Sequence, residues 1–315
     1  RSRLSEQLTM ASLFRRGWCE SKARLDGKTV IVTGANTGIG KETCRALLER
    51  GARLIMACRN LVKAKEAADE IRTSPSDQIL VKHLDLTSLE SVRQFSSEVL
   101  KEEPKVHILI NNAGVMLHPE DTTQDGFEMH IGVNHLGHFL LTLLLLKPLK
   151  AAVPSRIINV SSIAHIQGKI DFEDINLKKS FGPKKAYCQS KLANILFSNE
   201  LARKLDGTGI TVYSLHPGVV NTELGRYINE SVNKLVGWGF NYFGQYFFKT
   251  PEKGAQTTIY CAIDEALENV SGKYYSDCAE KETSSAAKSV EDAQKLWNMS
   301  LTMVGLSEDP TSNIK

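Results

Sequence analysis

Residues 28–51 read KTVIVTGANTGIGKETCRALLERG: a β-branched run over 28–33, a glycine-rich turn over 33–40, and apolar residues at helical spacing closed by Gly51. Strand, turn and helix thus follow one another. That order aims backbone N–H groups and the positive end of a helix dipole at one point, which suits a pyrophosphate. Glycines without Cβ atoms let such a ligand come close. The spacing matches neither of the best-known phosphate loops. Glycines at 34, 38 and 40 give GxxxGxG where the dinucleotide fingerprint has GxGxxG, and Lys41 is followed by Glu42 where a triphosphate loop needs Ser or Thr. Alone, the turn is also readable as a tight packing turn, and the rest of the chain has to decide.

Apolar, β-branched runs recur at 28–33, 53–58, 79–84, 106–110, 156–160 and 210–215, and helical patterns fill most of the intervals. This alternation predicts an α/β fold: one doubly wound Rossmann-type domain with a central parallel sheet. The strands read as unbroken apolar runs because helices cover both faces. The expected layout is a tail, targeting or interfacial segment over 1–25, one domain over 26–305 and a tail over 306–315. Two stretches break the rhythm, 163–185 and the aromatic 224–250, which is expected to form a substrate lid.

Composition narrows the function classes. The 315 residues carry 42% hydrophobic and 24% charged residues and a formal net charge of +3, with the basic residues dispersed along helices, so nucleic acid is not an expected partner. The six cysteines form no CxxC pair and no metal-ligand spacing, so no metal is expected and the thiols are read as reduced. No apolar run reaches the roughly 18 residues that span a bilayer. Leu13, Phe14 and Trp18 beside Arg15, Arg16, Lys22 and Arg24 do fit an interfacial helix or targeting peptide. The expected setting is intracellular and membrane-associated, at endoplasmic reticulum or mitochondrion, with the cytosol as the alternative and secretion not expected.

Chemistry-bearing residues gather at predicted strand ends. Arg59 closes the second strand, where an acidic residue would bind the ribose 2′-hydroxyl of NAD and an arginine instead pairs with the 2′-phosphate of NADP. HLDLT (83–87) and NNAG (111–114) end the third and fourth strands. RIINVSSIAH (156–165) ends the fifth in two serines, and AYCQSKLANILFSNELARKL (186–205) reads as an amphipathic helix that carries Tyr187 and Lys191 on one face. An isolated Tyr–Lys pair is more often a pair of solvated residues. Beside a serine hydroxyl, however, an ammonium that lowers the tyrosine pKa suits proton transfer at a carbonyl.

TGANTGIG, NNAG, NHLGHF, NVSS, YCQSK and HPGVVNT occur in the order and close to the intervals of the short-chain dehydrogenase/reductase family, which the chain resembles over about 26–305. It looks most like the NADP(H)-dependent retinol dehydrogenase branch. The resemblance implies that Tyr187 is the proton donor or acceptor, that Lys191 also binds the nicotinamide ribose, that Ser162 rather than Ser161 orients the carbonyl, and that Asn134 supports a water-linked proton path. It implies cofactor contacts at Gly34, Asn36, Thr37, Gly38, Ile39, Gly40, Arg59, Asp85, Leu86, Asn112, Ala113 and Gly114, and at Tyr187, Lys191, Pro217, Gly218, Val220 and Thr222. The implied cofactor is NADP(H), and the substrate a lipophilic aldehyde or alcohol, foremost retinal and retinol. Other lipid aldehydes or steroids are the alternative, and a non-catalytic NADP-binding regulator the alternative of another class. Peripheral membrane contact and a homodimer paired through helices 88–103 and 186–205 complete the expectations.

Overall fold

The computed structural model describes residues 17–220 and 249–314. Eight strands form one sheet in the order β3-β2-β1-β4-β5-β6-β7-β8. They are β1 Thr29–Thr33, β2 Arg53–Cys58, β3 Ile79–His83, β4 Ile108–Asn111, β5 Ser155–Val160, β6 Ile210–His216, β7 Lys273–Ser276 and β8 Ala279–Glu280. All neighbours run parallel except β7 and β8. Strand order reverses between β1 and β4, so a crevice opens there beyond the carboxyl ends, where ligands bind in sheets of this kind. The six expected strands are all present. The β7–β8 edge was not expected, since KYYS is short and mostly polar.

Side chains alternate across the sheet and both faces are covered. Val30, Val32, Leu54 and Met56 pack on one layer with Cys44 and Leu47 of α1 (Gly38–Leu48) and Ile259 of α7 (Pro251–Ile263). On the other face, Ile31, Ile55, Leu109 and Ile157 meet Phe95 of α3 (Leu89–Glu102), Phe139 of α4 (Gly137–Leu144), Phe197 of α6 (Pro183–Lys204) and Trp297 of α8 (Val290–Met303). Each such side chain, once buried, contributes about 1.5–3 kcal/mol. The other α-helices among the described residues are α2 (Leu61–Ile71) and α5 (Leu146–Lys150).

Helix α6 departs from its sequence pattern. Instead of one wet face, it buries Ala186 through Ser198 continuously, because the sheet lies under one side and α8 closes over another. Its polar residues are therefore interior groups that bond to one another. All six cysteines are free thiols, four of them buried. At the ends of the described chain, the Cys19 N–H donates to Gln256 Oε1 (3.2 Å) and the Trp297 indole to Asp309 (2.9 Å). No helix among the described residues is long and apolar enough to cross a membrane.

Candidate active site

A cleft of about 280 Å³ opens at the carboxyl ends of β1, β2 and β4. Gly34, Asn36, Asp85, Leu86, Ala113 and Gly114 line it, together with the exposed Arg59. The close approach of two loops requires the glycines. Gly34 has φ +62°, and a Cβ on it would lie 2.9 Å from the Ala113 α-carbon; one on Gly40 would lie 2.3 Å from the Gly34 carbonyl oxygen. Asn112 fastens the loops together, donating from Nδ2 to the Thr33 carbonyl (2.9 Å). Thr37 stands at the start of α1 without a side-chain capping bond, whereas Asn60, Ser88, Thr250 and Ser289 cap α2, α3, α7 and α8. The first-turn N–H groups of α1 are thus left to an anion. Asp85 accepts from the Thr87 N–H and hydroxyl (2.9 Å each), which shapes the β3 exit. These groups fit a dinucleotide: donors at the helix start, no Cβ in the way, and a cation at the β2 end.

Gly114 joins the cleft to Asn134 and Lys191. A Cβ there would sit 3.1 Å from Asn134 Oδ1 and 3.6 Å from Lys191 Nζ. Lys191 Nζ donates to the Val160 carbonyl (3.1 Å) and lies 5.7 Å from the centre of the Tyr187 ring. Burial pushes the Tyr187 phenol up to about 12, with the hydrogen bond from Ser162 pulling the other way. Burial pushes the Lys191 ammonium down to about 8. The expected lowering of the tyrosine pKa by Lys191 does not emerge: burial outweighs the other influences on the phenol, and the Lys191 Nζ is bonded to the Val160 carbonyl. The two serines divide their work. Ser161 Oγ is spent on the Lys191 carbonyl (2.6 Å), while Ser162 faces Tyr187 and caps the turn at Ala164 (3.2 Å). Asn134 sits in a π-turn, Ile131–Leu136. Its Oδ1 accepts from the Val115 N–H (2.8 Å), and its Nδ2 donates to the Val115 carbonyl (3.0 Å) and Ser190 Oγ (2.9 Å).

The profile of the family described as "short chain dehydrogenase" matches residues 28–233. The chain belongs to that family. Retinol dehydrogenase 12 of Homo sapiens is 50% identical over 95% of this chain and 93% of its own length. Retinol dehydrogenase 13 of Mus musculus is 52% identical over 92% and 88%. Among solved structures, an uncharacterised protein from Mycobacterium paratuberculosis aligns with TM-score 0.72 at 34% identity, covering 90% of this chain and 95% of that one. The RhlG/NADP active-site complex of Pseudomonas aeruginosa aligns with TM-score 0.63 at 25% identity, covering 80% and 94%. This short-chain dehydrogenase is accordingly an oxidoreductase of CH–OH and C=O groups that uses a nicotinamide cofactor.

In this dehydrogenase the stretch that follows HPG meets α7 at Val220. A Cβ on Gly254 would lie 2.6 Å from Val220 and 3.2 Å from Ile39, so these two expected contacts meet over that glycine. The aliphatic chain of Lys249 lies against Gly218 (φ +96°), and its Nζ donates to the Pro217 carbonyl (3.4 Å) and pairs with Asp277. Gly38 has φ +54° at the start of α1. Thr222 and the aromatic run 237–248 lie outside the described residues. Sequence reading missed Thr33, Val115, His138, Ser190 and Gly254. Thr33 and His138 stood inside quoted motifs, but nothing in their spacing marks a buried hydrogen-bond partner.

Proposed function

We propose that this protein is an NADP(H)-dependent oxidoreductase interconverting a lipophilic aldehyde and its alcohol, with retinal and retinol as the substrate pair. The observation that carries the reading is the buried Tyr187 and Lys191 with the half-buried Ser162 facing the tyrosine, joined through Gly114 to a cleft that reaches Arg59. Reduced nicotinamide, when bound, supplies the hydride for the carbonyl carbon. Ser162 orients the carbonyl oxygen, and Tyr187, protonated at neutral pH, gives its proton to that oxygen as charge develops. Lys191 stabilises the phenolate left behind. The Asn134 side chain is already used on Val115 and Ser190, so its backbone carbonyl is the group left to hold a water-linked path to Lys191. In alcohol oxidation the same groups act in reverse.

Arg59, exposed in the lining of the cleft, supports a 2′-phosphate and hence NADP(H). Identity near one half with proteins named retinol dehydrogenases supports the retinoid. So do the exposed apolar Ile163 and Ile166 in the turn that Ser162 caps, and Val219 beside Gly218, all facing solvent near the chemistry. The cluster of aromatics at 237–248 adds to an apolar substrate and to peripheral membrane contact. NADPH consumption with all-trans-retinal, other lipid aldehydes, a steroid ketone and a short aliphatic aldehyde tests this reading. Efficiency should rise steeply with apolar length. Equal efficiency across the series would overturn the lipophilic assignment.

A further inference from the structure

Behind the catalytic group lies a buried imidazole that the mechanism above does not use. His138, 2% exposed on α4, places Nε2 2.9 Å from Thr33 Oγ1 and Nδ1 3.1 Å from the backbone carbonyl oxygen of Asn134. Thr33 Oγ1 is itself an acceptor for two N–H groups, those of Asn112 and Ala113, each at 2.9 Å. The imidazole therefore bridges the end of β1 and the π-turn that holds Asn134, and Thr33 carries the link on to the NNAG loop.

Counting donors fixes the proton on this ring. A carbonyl oxygen can only accept, so Nδ1 must carry hydrogen. With two N–H bonds already received, Thr33 Oγ1 is left with its own hydrogen to give. The nearest acceptor is Nε2, at 2.9 Å against 3.5 Å for the Ile110 carbonyl. The opposite tautomer would set the Nδ1 lone pair against the Asn134 oxygen. A doubly protonated ring would bury an unpaired charge, and burial, with the Lys191 charge adding to it and the Asn134 bond pulling the other way, pushes this imidazole down to about 4. The bonds then point one way: amide N–H to threonine, threonine O–H to Nε2, and Nδ1–H to the Asn134 carbonyl. Chains aligned like this strengthen one another in a low dielectric.

The local helix explains why such a prop is needed. Over Ile131–Leu136 the turn is widened, with the Gly137 N–H reaching back to the Gly132 carbonyl, and π-turns displace carbonyls from their α-helical register. We propose that His138 is a positioning residue that, as the neutral Nδ1–H tautomer, fixes the Asn134 carbonyl for proton supply to Lys191. This rests on the proposed function. Thr33 depends on the ring less than Asn134 does, because it keeps its two N–H bonds without His138 and can turn its hydrogen to Ile110. Loss of the imidazole thus falls on the proton path rather than on the nucleotide loops.

The test compares two replacements in the full chain. In His138→Asn the side-chain amide nitrogen falls where Nδ1 stood and keeps the bond to Asn134. His138→Phe keeps ring volume and loses both bonds. With NADPH and retinal, the Phe variant should lose roughly 10-fold in kcat, the scale of one hydrogen bond, and show a larger solvent deuterium effect. NADPH affinity should stay within about 3-fold, and Asn should recover most of kcat and the parent isotope effect. Histidine-labelled NMR of the parent at neutral pH should show His138 protonated at Nδ1 only. An Asn variant no better than Phe, affinity lost as steeply as kcat, or an Nε2–H tautomer would each overturn the inference. A parent inactive on every aldehyde would instead overturn the functional reading, together with the catalytic part of this inference but not the tautomer.

Discussion

Tyr187 is defined by what surrounds its hydroxyl, and single-atom changes address it. Tyr187→Phe removes only that oxygen from a buried ring, so turnover should fall by roughly 100-fold or more while NADPH binding stays near the parent value. Lys191 gives the pH dependence. Its native pKa, about 8, lies below the 10.5 of a free lysine, so the ammonium is lost as pH rises through about 8. Reductase kcat should therefore decline above that point while the phenol, near 12, still holds its proton. A profile flat to about pH 10 would contradict the role given to Lys191. At the β2 end, Arg59→Asp replaces attraction for a 2′-phosphate by repulsion. Preference for NADPH over NADH should fall by roughly 10-fold or more, read from kcat/KM with each cofactor.

Elements hold these residues through backbone contacts that sequence shows only in part. The glycine turn over 33–40 was legible as a phosphate loop because strand and helix flank it. That the loop leans on Ala113 and Asn112 was not, since the contact joins segments some eighty residues apart. Helix α6 was legible as a helix by its period and illegible as a buried one. Period reports a face; only the sheet below and α8 above decide that both sides are covered. The π-turn around Asn134 has no composition signal at all. Gly34→Ala puts a Cβ at positive φ and 2.9 Å from the Ala113 α-carbon. It should lower stability by about 1–3 kcal/mol and weaken NADPH binding more than it weakens folding, as thermal melts with and without NADPH would reveal. A melt shift without loss of cofactor affinity would mean that the loop contact is packing only.

At the scale of the whole molecule, buried neutral histidines set the acid limit. Burial pushes His135 down to about 3 and His138 and His216 down to about 4, all below the ordinary 6.5. Native values below the unfolded one mean that the unfolded chain binds protons first. The stabilisation is complete above about pH 6.5 and is lost as pH falls toward 4, at about 1.4 kcal/mol per pH unit for each ring. Chemical denaturation midpoints should thus begin to fall near pH 6.5 and not wait for the carboxylates. A midpoint constant down to about pH 5 would contradict this. The parallel sheet and its two covered faces were readable because six apolar runs alternate with helical ones; the order of the strands was not. The β7–β8 edge was not, since its polar residues gain their place by pairing with β6.

The central claim, that a protonated Tyr187 completes NADPH-dependent reduction of a lipophilic aldehyde, is tested most directly by single-turnover decay of bound NADPH with all-trans-retinal, parent against Tyr187→Phe at saturating cofactor. The account predicts rapid NADPH loss in the parent and a rate roughly 100-fold lower in the Phe variant with unchanged NADPH affinity; equal rates in the two proteins, or no NADPH loss in either, would contradict it.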